Sequence, residues 1–310
     1  MRESLNPFVW SGVLARWQKR GLNCGLASCS GRTSLWKRIR RHHSGAFLQG
    51  VYYCQPECVS AALTRVLTQL ERRTPVPPSA SRIPLGLLMV ARGQLTYGKV
   101  AAALEAQKQA QHGTIGEWLE ELGFATEREV VSALGLQWGC PVASSLEIAA
   151  IPPFIEIPFP ILDTLHMLPL QYVAAGRTLY LACGRRVDHA ALYAIDKMID
   201  CRTLPCVGGR RRIAFQLECL RQQPRPHELE FGPVRDVGEM SRIAMSYIAR
   251  LDAQDIRAGR CGTMIWLRLR LQRSHMNLVF RLRSETQPSV SDLPARSEAP
   301  DSSRLRPRLS

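Results

Sequence analysis

The chain repeats itself at a spacing of thirty residues. When residues 83–107 are set over 113–137, seven of the 25 positions are identical: Gly86/Gly116, Gly93/Gly123, Thr96/Thr126, Val100/Val130, Ala103/Ala133, Leu104/Leu134 and Gln107/Gln137. Each copy opens with a short apolar run, Leu85 to Ala91 or Ile115 to Glu121, that stops at a glycine suited to the left-handed backbone closing a helix. A threonine two or three residues on is placed to cap the next helix. The period therefore predicts a helical hairpin used twice.

These residues carry a resemblance to a known family. Leu85-Gly86, Gly93 and Ala103-Leu104-Glu105-Ala106-Gln107, followed by Ile115-Gly116, Gly123 and Ala133-Leu134-Gly135-Leu136-Gln137, resemble the tandem motif of the N-terminal domain of ATPases that drive type II secretion and type IV pilus assembly. Residues 168–220 resemble the α/β half of the same domain, through Met167-Leu168-Pro169-Leu170, Arg177-Thr178-Leu179-Tyr180-Leu181-Ala182, Asp188 and Arg202-Thr203-Leu204-Pro205-Cys206. The resemblance implies docking to secretion or pilus assembly components. In relatives that bind cyclic di-GMP the tandem motif forms the site, which on this chain means Leu85, Gly86, Gly93 and Gln107 with Ile115, Gly116, Gly123 and Gln137. Gly86 and Gly116 would admit a close backbone approach to this nucleotide second messenger, and the glutamines would bond a base edge. Those relatives usually carry a basic residue before each Leu-Gly pair, where this chain has Pro84 and Thr114. Neither can form the fork-shaped pair of a guanidinium. Docking is thus expected to survive more easily than ligand sensing.

Charge is uneven along the 310 residues: of a net +15, residues 1–75 hold twelve Lys and Arg against three Asp and Glu. Such a bias favours an acidic protein surface, a phosphate-rich polymer or an anionic membrane. Arg16, Lys19, Arg20, Lys37, Arg38, Arg40 and Arg41, interleaved with Trp17 and Trp36, are the residues a rival nucleic-acid-binding reading would use, with an unpaired base stacked on Trp36. The blander reading is a solvated basic arm. Prolines 152, 153, 158, 160 and 169 interrupt the longest apolar stretch, so no transmembrane segment is expected. Residues 1–20 lack the pattern of a signal peptide, which places the chain in the cytoplasm, at most peripheral to the inner membrane through its partners.

Two of the cysteine spacings point to a metal. Cys24 and Cys29 form a C-x4-C pair, Cys54 and Cys58 a C-x3-C pair, and 24 residues separate them. Four thiolates could close a tetrahedral structural zinc site. Val51-Tyr52-Tyr53 reads as a strand leading through a turn into a helix, so Cys58 would sit in a first helical turn, as in a treble-clef finger. The alternative is buried cysteines without metal; His42 and His43 are reserve ligands or part of the basic face. Cys140, Cys183, Cys201, Cys206, Cys219 and Cys261 lie in apolar or strand-like contexts where cysteine behaves as a small hydrophobe.

The expected fold class is α+β. It comprises a basic arm (1–20), a zinc-binding segment (21–73), a Pro-rich linker (74–81), the tandem helical repeat (82–145), an α/β subdomain (146–223), a helix plus β-hairpin (230–283) and a disordered tail (284–310). Arg268, Arg270, Arg273 and Arg281 are expected along an exposed strand face. Ala253-Gln254-Asp255-Ile256-Arg257 bears a faint likeness to the second domain of secretion ATPases. No segment reads G-x-x-x-x-G-K-[ST], and the hydrolase, zinc-protease and dinucleotide motifs are likewise missing. The chain is expected not to be an enzyme. A thiol of Cys183 or Cys206 paired with Asp188 and His189 is the one catalytic combination to weigh, and Asp188 reads better as a helix cap, leaving His189 in solvent.

Overall fold

A computed structural model describes residues 23–29, 45–72, 83–149 and 151–283. The basic arm, the linker at 74–81, the tail, and Trp17, Trp36, His42 and His43 with the flanking Arg and Lys of the nucleic-acid reading all lie outside the described residues.

The described chain begins with a hairpin of two three-residue strands, β1 (Ala46–Leu48) and β2 (Val51–Tyr53). Gln49 and Gly50 between them both take positive φ, 52° and 80°. That is the two-residue turn whose twist suits antiparallel strands. Helix α1 (Pro56–Arg72) follows, with Pro56 at its first position, where a missing N–H matters least, and with Val59, Ala62, Leu63, Leu67 and Leu70 on one buried face.

Four helices come next: α2 (Leu85–Ala91), α3 (Tyr97–Ala110), α4 (Ile115–Glu121) and α5 (Glu127–Trp138). The expected start and stop signals are in place. Gly93 and Gly123 take φ of 71° and 68° after α2 and α4, and Thr96, Thr114 and Thr126 cap the helices that follow them. Thr114 and Thr126 each form a reciprocal box with a glutamate, Glu117 or Glu129, whose carboxylate accepts from the threonine N–H. The small core enclosed by these helices is built from positions thirty residues apart: Leu85 with Ile115, Met89 with Leu119, Val100 with Val130, Ala103 with Ala133.

Beyond α5 the chain crosses a Pro-rich stretch to α6 (Phe159–Leu165) and then alternates β3 (Met167–Val173), β4 (Thr178–Cys183), α7 (His189–Ile199), β5 (Arg202–Val207) and α8 (Arg210–Arg221). Strand β4 is central, antiparallel to β3 and parallel to β5. Asp188 caps α7 by accepting from the N–H groups of Ala190 and Ala191 at 2.9 and 3.1 Å. The last part consists of β6 (Glu228–Pro233), α9 (Val237–Arg250), β7 (Asp255–Cys261), β8 (Met264–Arg270) and β9 (His275–Arg281).

The larger sheet joins the two ends of the described chain. Its order is β2-β1-β7-β8-β9-β6, with β1 parallel to β7. Residues 46–53 and 228–281 therefore share one sheet although some 175 positions separate them. On one face, Ile265, Leu267 and Leu269 of β8 pack with α1 and α9. On the other, Met264 and Trp266 enter the core of the smaller sheet and α7. Fully buried Trp266 donates its indole N–H to Asn277 Oδ1 at 3.0 Å. Among the described residues no helix is long and apolar enough to cross a membrane.

Burial on both faces overturns the expected exposure for one of the four arginines. Arg270, Arg273 and Arg281 are exposed, but Arg268 is 8% exposed, and its guanidinium donates to the carbonyls of Phe154 and Glu156 at 2.7 and 2.8 Å. The Pro-rich stretch lies over that side of the sheet, and burial pushes the Arg268 guanidinium down to about 10. Truncating it removes both charge-assisted hydrogen bonds and the packing of a buried side chain. Arg268→Ala is expected to destabilise the protein by about 3 kcal/mol, measured by urea unfolding at constant m-value.

Candidate functional site

The cysteine site is assembled from three pieces of chain. A tight turn over residues 24–29 is closed by the Cys29 N–H donating to the Leu26 carbonyl at 3.1 Å, and pinned to β2 by the Gly25 N–H donating to the Tyr52 carbonyl at 2.8 Å. A Cβ at residue 25 would lie 2.3 Å from Val51 Cγ1, so only glycine permits the approach. Cys54 follows β2, and Cys58 occupies the first turn of α1, where the helix dipole favours a thiolate.

The four Sγ atoms of Cys24, Cys29, Cys54 and Cys58 all lie within 4.8 Å of one another, with Cys29 3.5 Å from Cys54 and 3.7 Å from Cys58. A tetrahedral zinc with bonds of about 2.3 Å requires sulfurs about 3.8 Å apart. The residues fit that ion. Three of the four are buried, and Leu26 and Tyr53 pack around them. Burial, reinforced by hydrogen bonds to neighbouring thiols, pushes the Cys54 thiol up to about 12 and raises Cys58 as well. A divalent cation would offset that cost of ionisation by displacing the protons.

Of the other cysteines, Cys140, Cys183 and Cys206 lie near one another around β4 and β5. Burial raises Cys183 to about 12 and Cys206 to about 11, and the Cys206 thiol donates to the Leu181 carbonyl at 3.4 Å. Asp188 is engaged as the α7 cap and His189 is exposed, so neither thiol meets a base there. Cys219 is the departure from the expected apolar setting: it is exposed on α8.

The tandem helices bring Leu85, Gly86, Ile115 and Gly116 together, whereas Gly93 and Gly123 lie past the opposite ends of α2 and α4, and the structure gives each of the eight motif residues a local task. Gly86 and Gly116 are buried within α2 and α4. A Cβ at Gly86 would meet Val100 Cγ1 at 2.7 Å; one at Gly116 would meet Val130 Cγ1 at 3.0 Å and Leu85 Cδ2 at 3.5 Å. The room that the sequence reading reserves for a ligand is filled by valines of α3 and α5. Leu85 and Ile115 belong to the core, while Gly93 and Gly123 turn the chain with nothing nearby. Gln107 donates its amide to the Gly113 carbonyl at 2.9 Å, and Gln137 donates to the Ile83 carbonyl at 2.7 Å. This is one bond made twice, each glutamine reaching the start of the other copy.

Opposite charge joins these helices to the smaller sheet's unit. Arg210 pairs with Glu117, and Arg211 lies 3.7 Å from Glu121. Burial would raise the Glu117 carboxyl, but the Thr114 N–H and hydroxyl together with Arg210 hold it below the ordinary carboxylate range. The sequence reading missed this junction because no local pattern relates residues 117 and 210.

No family model matches the chain, and no curated protein matches it. Among solved structures it is similar to MshE in a structure titled "with cdg", at 25% identity and TM-score 0.35, covering 44% of this chain and 99% of that one. It is also similar to the N-terminal domain of XpsE in two crystal forms, both at 22% identity. One covers 43% of this chain and 91% of the other at TM-score 0.32, and the second covers 42% and 89% at 0.25.

The two kinds of motif glycine separate by mechanism. Gly86→Ala forces a methyl against a stiff β-branched side chain and is expected to cost about 2 kcal/mol. Gly123→Ala meets no atom and should cost about 1 kcal/mol from its left-handed backbone alone. Urea unfolding of both variants checks the order.

Proposed function

We propose that this chain is a non-catalytic regulatory or scaffolding protein that works by protein–protein contact, in the manner that its tandem motif and α/β segment imply for secretion and pilus ATPase N-terminal domains. The observation that carries the reading is the surface of the tandem helices. They enclose their own core, yet leave Leu87, Tyr97, Leu104 and Leu136 exposed. Large apolar side chains left in water on a packed helical unit favour a partner. Burial that raises the Cys183 and Cys206 thiols, with Asp188 engaged as a cap, is consistent with this reading. The cysteine cluster, in this reading, holds a structural zinc.

The partners are components of a secretion or pilus assembly machine. Mixed with their cytoplasmic domains, the chain should bind, and Leu104→Glu with Leu136→Glu should weaken that binding at least about tenfold, about 1.4 kcal/mol, at an unchanged unfolding temperature. Unaltered affinity of the double variant would remove the tandem helices from the contact.

A sensing version adds cyclic di-GMP at Leu85, Gly86, Gly93, Gln107 and their counterparts Ile115, Gly116, Gly123 and Gln137, and requires the ligand to displace the Gln107 and Gln137 bonds and to approach around Val100 and Val130. Calorimetric titration decides it: saturable heat supports sensing, and no heat at about 100 μM protein confines the function to protein contact.

A further inference from the structure

We propose that zinc held by Cys24, Cys29, Cys54 and Cys58 is the clasp that fastens the N-terminal segment onto the sheet of the C-terminal part. The inference rests on the zinc reading above and extends it from a local site to the closure of the whole chain.

The attachment of β1 to β7 is slight. Only Phe47 and Leu48 are in register with Asp255 and Ile256, joined by the Phe47 and Gln49 N–H groups donating to the Gln254 and Ile256 carbonyls, each at 2.9 Å, and by the Gln49 side-chain amide donating to the Ala258 carbonyl at 2.6 Å. A hairpin of three-residue strands is marginal on its own. The apolar cluster at its open end consists of cysteines with Leu26 and Tyr53, too few groups to order three pieces of chain.

Helix α1 is held by apolar burial along its length and by polar bonds from its middle onward. Its C-terminal end is anchored by Arg260, which donates to the carbonyls of Leu70 and Glu71 at 3.0 and 2.6 Å. Midway, Thr64 and Ser241 of α9 share a hydroxyl bond of 2.9 Å. At its N-terminal end Cys58 enters the cysteine cluster, beside Val59 and Ala62, which share the larger sheet's core with Ala46 and Leu48 of the hairpin. A tetrahedral ion there would fix the angle between β2 and α1 across the short turn Cys54 to Cys58. That angle decides whether Val59, Ala62 and Leu63 cover β7, β8 and α9. Loss of the ion would loosen this cover, while α2–α5 and the smaller sheet have cores that use no residue of the segment.

The test uses the full chain purified without chelator. Elemental analysis should find one zinc per chain, and a thiol-reactive mercurial should release it. Hydrogen exchange is then compared with and without the ion. Expected on zinc removal is exchange faster by about tenfold or more in residues 240–258 and 59–67, with less than about twofold change in α2–α5 and β3–β5. Zinc bound at one equivalent with unchanged exchange at 240–258 would overturn the clasp and leave the metal reading standing. Zinc absent, or iron in its place, would overturn the metal reading itself. Cys54→Ser should lose the metal, Cys54→His should keep it because imidazole also ligates zinc, and Cys219→Ser, remote and exposed, should match the parent. Retention of zinc by Cys54→Ser would exclude this site.

Discussion

Strand β8 is buried on both faces, and the arrangement of the molecule follows from that. A strand that alternates Ile265, Leu267 and Leu269 with Met264, Trp266 and Arg268 has two sets of side chains to remove from water. One set is met by α1 and α9, the other by the smaller sheet and the Pro-rich stretch. The second face carries a cation, which is tolerated because two carbonyls of that stretch turn toward it. A covering layer that would otherwise be loose is thereby tied to the sheet by its own backbone.

The tandem helices solve a smaller version of the same problem. Each hairpin is too short to bury its apolar stripe alone, so each packs on the other and uses glycine where the backbones come close. Gly86 and Gly116 make room for Val100 and Val130, and the paired glutamine bonds close the unit on itself. Self-sufficiency of this kind leaves the outer side chains free for contact. The unit is joined to its neighbour through charge, by Arg210 and Arg211 against Glu117 and Glu121, and also through Trp138, which packs on the smaller sheet's core, and the backbone bonds of Pro141 and Ala143 to Val207.

The cysteine cluster sits at the edge of the larger sheet, where β2 is the outermost strand. The edge strand β2 reaches the larger sheet only through β1, which is in register with β7 at two residues, with Gln49 adding backbone and side-chain bonds to the Ile256 and Ala258 carbonyls. A site that gathers a turn, a strand end and a helix start at one point acts where the apolar packing is thinnest. The remaining cysteines, spread through well-packed cores or exposed as at Cys219, have no such geometry.

Local pattern was enough for much of this. The thirty-residue period, the glycines at 93 and 123, the capping threonines at 96 and 126, the Asp188 cap and the paired spacings of Cys24, Cys29, Cys54 and Cys58 are all decided by contacts a few residues long, and each is read from neighbouring side chains. Strands β6 and β7 were not legible, since Glu228–Pro233 and Asp255–Cys261 mix charge with small residues and become strands only by pairing with β9 and β8. Nor was the joining of residues 46–48 to 255–256, the burial of Arg268, or the filling of the space at Gly86 by Val100. Each depends on which distant surface covers a given face. Sequence periodicity reports that a side chain needs cover, and tertiary structure alone determines what supplies it.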